Sequence, residues 1–159
     1  MGAGLGQWPV PLALQCERLK ITAAPGEELV KELLAEGESY DIIFLDAFDD
    51  NGPARALLEE KFLNNCKTLL SGKGVFAMNL WNRPVDNFPT NLARLAEIFE
   101  HRIHTLLLAN CNSNAIVFGF NEPLKVKNLL KLKPLCRELG LRTSVNFMKW
   151  LRQMHWQSL

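Results

Sequence analysis

Stretches of continuous apolar residues alternate along the chain with stretches in which apolar residues recur at helical spacing. Residues 41–48 and 74–81 are apolar on both faces, which is typical of strands covered by helices on each side. Three segments place apolar side chains on one helical face: residues 27–37, 54–70 and 87–102. The first of these helices is expected to end at Gly37, a residue that readily adopts the left-handed conformation found after helix ends.

Further strands are predicted at both ends of this pattern. Residues 18–23 resemble a strand, and residues 104–111 and 114–120 are two more, separated by the sequence NSN as a tight turn. Strands and helices therefore alternate up to this hairpin, which closes the alternating part of the chain at residue 120. The order predicts an α/β fold with a mostly parallel sheet and an antiparallel C-terminal hairpin.

From residue 123 onward the pattern changes to basic amphipathic helices, which predict a helical C-terminal extension. Two interpretations of this extension stay open. It either caps the sheet with its Leu, Phe and Trp side chains, or contacts a partner or a second copy through Trp150 and Trp156.

Composition limits the classes of protein to which the chain can belong. Its 159 residues suffice for one domain, and 48% apolar with 22% charged residues indicates a soluble globular protein. A formal net charge of +1 gives no reason to expect nucleic acid or an anionic membrane as partner. The apolar runs are too short to span a membrane, and the N-terminus lacks the basic start of a signal peptide. We therefore expect a cytoplasmic protein.

Cysteine and histidine positions give no sign of a metal centre. Four cysteines are widely scattered without a CxxC pair, which favours reduced thiols over a disulfide framework or a zinc site. His101 and His104 are three residues apart at a helix-to-strand junction, and neither has a third ligand at suitable spacing. We interpret both as surface or helix-end polar residues and predict no metal.

The strongest candidate chemistry follows the predicted strand at residues 41–48. Asp46 lies at the carboxyl end of this strand, and Asp49 and Asp50 follow in the next loop. Ligands of open α/β sheets bind beyond the carboxyl ends of the strands, where a carboxylate can hold a cation or accept a proton from an amine. Asp after a strand also commonly caps the next helix, so both roles remain open on spacing alone.

The sequence YDIIFLDAFDDNGPARALLEEKFL, beginning at Tyr40, resembles a segment of the spermidine synthases, or polyamine aminopropyltransferases. That segment reads YD-[VI]-I-x-x-D-[SA]-x-D-P-x-G-P-A-x-x-L, and this chain matches it without a gap. RLKITAAPGEELV upstream and LLSGKGVFAMNLW downstream resemble the flanking motifs of the same family. The resemblance covers roughly residues 18–120.

The resemblance implies a Rossmann-like fold of the class I methyltransferase type and transfer of an aminopropyl group. Family members take this group from decarboxylated S-adenosylmethionine, attach it to a diamine and release methylthioadenosine. By the resemblance, Asp46 would orient and deprotonate the attacking amine, while Asp49 and Asn79 would bind substrate. Gly26 and Ala47 would contact the adenosyl compound, and no cofactor would be permanently bound.

Three departures from the family motifs suggest weak or lost activity, two at single positions and the largest at the N-terminus. Ala24, Pro25 and Gly26 stand where the family has Gly-Asp-[Gly/Ala], whose Asp binds the adenine amino group. A proline has neither a side-chain acceptor nor a backbone N–H. Asn79 replaces a Gln and is one methylene shorter, although it is equally well explained as a polar residue at a strand end.

The N-terminal part of the family pattern is expected to be truncated here. Residues 1–17 are either a leader or, through Gly2, Gly4 and Gly6, the remnant of a Gly-rich loop. Residues 18–122 would then form the Rossmann domain and residues 123–159 the helical extension. Missing strands would leave the edge beside residues 42–46 bare, so we expect that another segment or a second copy covers it.

The departures leave a second function class open. With an amine half-site but no adenosyl half-site, the chain would be a methyltransferase-like or non-catalytic binding module rather than an aminopropyltransferase.

Overall fold

A computed structural model describes residues 22–49, 52–82, 87–107, 114–124 and 129–156 of the chain. The glycines of residues 2–6 and most of the strand predicted at residues 18–23 lie outside this part. The two described residues of that strand, Thr22 and Ala23, are not in regular secondary structure.

The described helices and strands include the predicted alternation and add the short strands β2, β3 and β7. Their bounds are α1 Gly26–Ala35, β1 Tyr40–Leu45, β2 Phe48–Asp49, β3 Gly52–Pro53, a 3-10 turn Arg55–Leu58, α2 Glu60–Leu69, β4 Leu70–Trp81, α3 Phe88–Ile98, β5 Ile103–Leu107, β6 Asn114–Phe120, a second 3-10 turn Leu129–Leu132, α4 Lys133–Thr143, α5 Phe147–Gln153 and β7 Met154–Trp156. The helix predicted over residues 54–70 is interrupted at Glu59, whose extended backbone separates the 3-10 turn from α2. Pro89 and Pro134 lie in the first turns of α3 and α4, where a missing N–H leaves no hydrogen bond unmade.

The described strands form a five-stranded sheet in the order β1-β4-β6-β5-β7, and β2 and β3 form a separate small hairpin. β1 and β4 are parallel, whereas β4–β6, β6–β5 and β5–β7 are antiparallel. The α/β class and the antiparallel hairpin are therefore confirmed. Antiparallel pairs outnumber parallel ones in the described sheet, because the hairpin and β7 account for three of its pairings.

One face of the sheet carries the hydrophobic core beneath α1, α2 and α3. Alternate residues of β4, Phe76, Met78 and Leu80, are buried there against residues of the helices. The rings of Phe76 and Phe99 stack with centroids 5.5 Å apart. A Cβ atom added to Gly119 on β6 would lie 2.6 Å from the Phe99 ring, so the glycine makes room for that ring.

The opposite face of β1 is open in the described part of the chain, which corrects the expectation of a strand covered on both faces. Ile42 is 54% exposed and Phe44 is 70% exposed, while Ile43 and Leu45 pack towards the core. The described helices α1, α2 and α3 lie over the core face, and the side chains on the other face of β1 remain exposed. Among the described strands β1 has β4 alone as a neighbour and so forms the edge of the sheet.

A bulge separates the start of β4 from the part that pairs regularly with β1. Tyr40 is opposite Leu70, but Ile42 is opposite Val75, so Asp41 alone faces residues 71–74. The Ser71 hydroxyl donates a hydrogen bond of 2.7 Å to Oδ1 of Asp41 across this bulge. Beyond it, each residue from Ile42 to Leu45 pairs in order with Val75 to Met78.

The C-terminal extension is not helical throughout, because it ends in β7. Residues Met154–Trp156 pair with β5, whose other edge is already occupied by β6. Backbone groups on an open strand edge favour such pairing over continuation of a short helix. Leu151 on α5 is buried, which agrees with a cap on the sheet, while Trp150 is 42% exposed. The domain boundaries at residues 17 and 122 stay predictions.

His104 is buried, contrary to the expectation of a surface or helix-end residue. Its side chain is 2% exposed, and its ring meets Phe120 edge-on with centroids 5.5 Å apart. The strand begins at Ile103, one residue earlier than expected, and β7 lies beside it with Trp156 opposite His104. His101 is exposed, as expected.

A cluster of charged side chains joins the ends of α2 and α3 to β5 and β6. Nζ of Lys67 donates to the Ile98 carbonyl at 2.6 Å and to Glu100 Oε1 at 2.9 Å. Arg102 donates from Nη1 to Glu100 Oε2 at 2.7 Å and from Nε to the Phe120 carbonyl at 3.0 Å. The hydrogen bond from Arg102, which is the largest cause, and the one from Lys67 lower the pKa of Glu100 from 4.5 to about 2.

We predict that Glu100→Gln removes part of the acid sensitivity of folding. A carboxyl group with a lowered pKa in the folded state stabilises it above the unfolded pKa, here 4.5, and loses this contribution as pH falls towards about 2. The free energy of unfolding should therefore fall more steeply for the unmodified chain than for the variant over this interval. Urea unfolding at successive pH values checks this, and equal slopes would contradict it.

Candidate functional site

The carboxyl ends of β1 and β4 bring Asp46 and Asn79 together. The two strands are parallel and paired up to Leu45 and Met78, so the next residue of each lies at the same edge of the sheet. Nδ2 of Asn79 donates a hydrogen bond of 3.1 Å to Oδ1 of Asp46. Asp46 is exposed and Asn79 is half-buried. The carboxylate therefore stands in front of the amide, towards solvent.

Asn114, the first residue of β6, extends this pair to a row of three polar side chains. Ile116 is the residue opposite Asn79, which makes Asn114 its diagonal neighbour two positions along the antiparallel strand. Nδ2 of Asn114 donates to Oδ1 of Asn79 at 3.0 Å. The sequence interpretation missed Asn114. The predicted hairpin pointed to this edge, but its register was needed to find the contact.

Two aromatic rings lie beside the polar row in sequence and in space. Phe48 follows Asp46 by two residues, and Trp81 follows Asn79 by two. Their rings stack with centroids 5.5 Å apart at 28°. Such a pair offers an apolar surface for the methylene groups of an extended ligand, next to a charged group that can hold its end. The sequence interpretation missed this pair as well, because it placed Phe48 at the end of the predicted strand at residues 41–48, whereas Phe48 begins the separate strand β2.

The negative charge of Asp46 is not neutralised by a basic side chain among the described residues. Its described hydrogen bond comes from a neutral amide and reaches Oδ1. The described ion pairs involve Glu100 and Glu138 instead. Asp46 can therefore attract a cation from solvent and accept a hydrogen bond at Oδ2.

The other predicted site residues lie around the segment that follows β1. The Ala47 carbonyl accepts a hydrogen bond from the Ala54 N–H at 3.2 Å, and the Ala47 side chain packs against the core. Gly26 begins α1, and a Cβ on it would lie 3.2 Å from Leu57. Asp49 is in β2, opposite Gly52. Asp50 lies outside the described residues.

Pro25 is the residue before α1. Its carbonyl accepts hydrogen bonds from the N–H groups of Glu28 and Leu29 at 3.1 and 3.0 Å. No side-chain hydrogen bond caps this helix. Pro25 therefore starts the helix through its fixed backbone angle and offers no side-chain acceptor to a ligand.

One groove and one buried thiol in the described part of the chain lie apart from this site. A groove of about 500 Å³ lies between α4 and α5 and is lined mainly by apolar groups without a carboxylate. Within the described ranges no three His, Cys, Asp or Glu residues are grouped so that they could hold a metal ion. Cys66 is buried, which raises the pKa of its thiol to about 12 and marks it as a packing residue. No described helix is long and apolar enough to cross a membrane.

Comparison with solved structures identifies the class of fold. The chain is similar to human methyltransferase-like protein 13 in complex with SAH, with a TM-score of 0.66 and 26% identity over 87% of this chain and 61% of that one. A spermidine synthase in complex with the transition state analogue AdoDATO gives a TM-score of 0.58 at 20% identity, over 73% of this chain and 41% of that one. The fold is therefore methyltransferase-like and Rossmann-like.

Comparison of sequences then shows which family the chain resembles. The family model described as the spermine/spermidine synthase domain matches residues 10–86. The polyamine aminopropyltransferase of Neisseria meningitidis serogroup A is 30% identical over 140 residues, which are 88% of this chain and 51% of that protein. These matches confirm the resemblance to the spermidine synthase family, and the chain spans about half the length of the curated aminopropyltransferase. The eEF1A lysine and N-terminal methyltransferase of Xenopus laevis is 29% identical over 132 residues, covering 74% of this chain and 19% of that protein.

Proposed function

We propose that the chain supplies the amine-binding half of an aminopropyltransferase site, with Asp46 as its base. The observation that carries this proposal is the exposed Asp46 carboxylate, which Asn79 holds at the carboxyl ends of two parallel strands. The substrate class is a diamine. One of its ammonium groups is drawn to Asp46, and its methylene groups pack on the Phe48–Trp81 pair.

The proposed reaction needs a base because an ammonium group has no lone pair with which to attack carbon. Asp46 accepts a proton from the ammonium, and the resulting amine attacks the aminopropyl carbon bonded to the sulfonium of decarboxylated S-adenosylmethionine. A C–N bond forms, the C–S bond breaks with its electron pair going to sulfur, and methylthioadenosine leaves. Asp49 is proposed to bind the substrate amine, and Asn79 to keep Asp46 in position.

The adenosyl half of the site is proposed to be weak in this chain. Gly26 and Ala47 would contact the adenosyl compound, but Pro25 replaces the carboxylate that would bind the adenine amino group. Loss of one charged hydrogen bond costs roughly 1.5–3 kcal/mol, or about tenfold to hundredfold in affinity. We therefore expect aminopropyl transfer by this chain to be slow or absent.

The second candidate function is that of a methyltransferase-like module that binds S-adenosylmethionine or has no catalytic role. It is favoured by the similarity to human methyltransferase-like protein 13 at 26% identity and to the Xenopus laevis methyltransferase. The two candidates differ in the ligand that occupies the edge beyond β1 and β4. An aminopropyltransferase binds a diamine there, whereas the second candidate has no need of a small amine.

Calorimetric titration of the full chain tests both candidates. The ligands are 1,4-diaminobutane, methylthioadenosine and S-adenosylmethionine, and transfer is assayed with decarboxylated S-adenosylmethionine as donor. Diamine binding with feeble adenosyl binding supports the proposed function. Binding of S-adenosylmethionine without diamine binding supports the second candidate.

We predict that Pro25→Asp has two separable effects. An Asp before α1 can add the side-chain cap that this helix lacks, so stability should rise by about 0.5–2 kcal/mol. If the rest of the adenosyl pocket exists, affinity for methylthioadenosine should rise as well. Pro25→Ser is the matched control, because it caps the helix without a carboxylate. Equal nucleoside affinity in the two variants would contradict an adenine contact at this position.

We propose further that a second copy of the chain covers the open side of β1, in a cytoplasmic homodimer. The exposed apolar side chains of Ile42 and Phe44, together with the position of β1 at the edge of the described sheet, support this proposal, since both features favour association. Light scattering should give a mass near twice 18.0 kDa. Phe44→Lys should shift it to the monomer mass, while Lys73→Ala, an exposed change on β4, should not. A monomer at all concentrations for the unmodified chain would contradict the dimer.

A further inference from the structure

We infer that Asn114 is a positioning residue that fixes the side-chain amide of Asn79 and, through it, the orientation of the Asp46 carboxylate. This inference deepens the proposed function, on which its link to amine binding rests. Asn114 lies on β6 and does not adjoin the family motif around Asp46 in sequence. The contact arises from the register of β6 against β4, which places Asn114 diagonally from Asn79.

The argument starts from the two unlike ends of an asparagine amide. One end, Nδ2, donates hydrogen bonds and the other, Oδ1, accepts them, and a half-turn of the group exchanges their places. An ionised carboxylate can only accept hydrogen bonds, so Asn79 can hydrogen-bond to Asp46 only when its Nδ2 faces the carboxylate. In the reversed orientation the amide oxygen would face the carboxylate and repel it.

Asn114 selects the useful orientation from the other side. Its Nδ2 donates to Oδ1 of Asn79 at 3.0 Å, while Nδ2 of Asn79 donates to Oδ1 of Asp46 at 3.1 Å. Reversing the Asn79 amide would break both hydrogen bonds and place donor against donor at the Asn114 end. The two hydrogen bonds together therefore fix the orientation of the Asn79 amide more firmly than either does alone.

The two oxygens of the Asp46 carboxylate therefore have different roles towards a ligand. Oδ1 is engaged by Asn79, so Oδ2 is the atom that faces an incoming ammonium group. Both amides of the row are neutral, which leaves the single negative charge of Asp46 undiminished. The geometry assigns to this edge a preference for a cationic group that donates to one carboxylate oxygen.

The first test is independent of any ligand. Nuclear magnetic resonance of the full chain can follow hydrogen exchange of the Asn79 side-chain NH2 group. Asn114→Ala should accelerate this exchange roughly fivefold to tenfold, which is the effect of one lost hydrogen bond on the group that it holds. Asn121→Ala is the matched control, because Asn121 donates from Nδ2 to the Leu70 and Ser71 carbonyls at the opposite end of β4. Equal exchange of Asn79 in both variants and the unmodified chain would overturn the inference.

The second test measures affinity for 1,4-diaminobutane in four chains: unmodified, Asn79→Ala, Asn114→Ala and the double variant. Asn114→Ala should weaken binding about threefold to tenfold in the unmodified background and should change nothing once Asn79 is already Ala. An equal loss in both backgrounds would overturn the action through Asn79. Accelerated exchange in a chain that does not bind the diamine at all would support the positioning role and reject the proposed function.

Discussion

Asp46→Asn is expected to weaken binding of 1,4-diaminobutane by roughly tenfold to hundredfold and to abolish any aminopropyl transfer. The amide has nearly the shape of the carboxylate but lacks its charge and cannot take the proton of an ammonium group. In place of one carboxylate oxygen it presents an NH2 group, which repels an ammonium donor. Calorimetry measures the first effect, and release of methylthioadenosine measures the second.

Asp41→Asn is the matched control for this change. Asp41 lies at the other end of β1, is exposed and accepts a hydrogen bond from Ser71 at 2.7 Å. The variant removes the same charge from the same strand and should leave diamine affinity within about twofold, since exposed charges far apart are screened by salt. Robust transfer that survives Asp46→Asn, or an equal loss in both variants, would reject the proposed base.

Gly119→Ala is expected to cause a large loss of stability, about 1–3 kcal/mol or more. The added Cβ would lie 2.6 Å from Cδ2 of Phe99, and other ring atoms follow at 2.7 Å. Phe99 is fully buried and stacks on Phe76, so its ring has little freedom to move away. Urea unfolding should show a lower midpoint with an unchanged dependence on urea concentration.

Two further variants make the reason for this loss testable. Gly72→Ala should change stability little, because its Cβ would meet the flexible carboxylate end of Glu122 at 3.3 Å. Phe99→Leu should lower the stability of the unmodified chain. In the Gly119→Ala background it should lower stability less, or raise it, because the smaller side chain relieves the crowding. Additive losses from Gly119→Ala and Phe99→Leu would mean that crowding against the ring is not the cause.

The features of the fold and site that could be predicted are those encoded by the local pattern of apolar and polar residues. Asp46 follows an apolar run at a strand end, so it could be named as a site candidate from the pattern alone. Asn79 was named through the resemblance to the spermidine synthases, and the parallel pairing of β1 and β4 places it beside Asp46. Their roles stay predictions. The α/β alternation and the hairpin followed from the change between helical and strand periodicity.

The missed features depend on register or on distant chain segments. The contact of Asn114 with Asn79 requires the exact alignment of β6 on β4, which residues 114–120 do not reveal by themselves. The strand β7 lies in a segment with helical spacing and forms because β5 offers an open edge. His104 is polar by type, yet its burial follows from β7 and Phe120, which are distant in sequence. Tertiary context, rather than local propensity, decided each of these cases.

The bulge at the start of β4 determines where this domain can tolerate a change in chain length. An inserted residue between Lys73 and Gly74 would enter a segment of four residues that already faces Asp41 alone, and the pairing beyond Val75 would keep its register. An insertion between Ala77 and Met78 would fall in the regularly paired part of the strand, which has no bulge to accommodate it. Every later side chain of the strand would change faces, which would turn Asn79 into the core and Met78 towards Asp46. Length variants among related chains should accordingly occur before Val75 and be absent between it and Trp81.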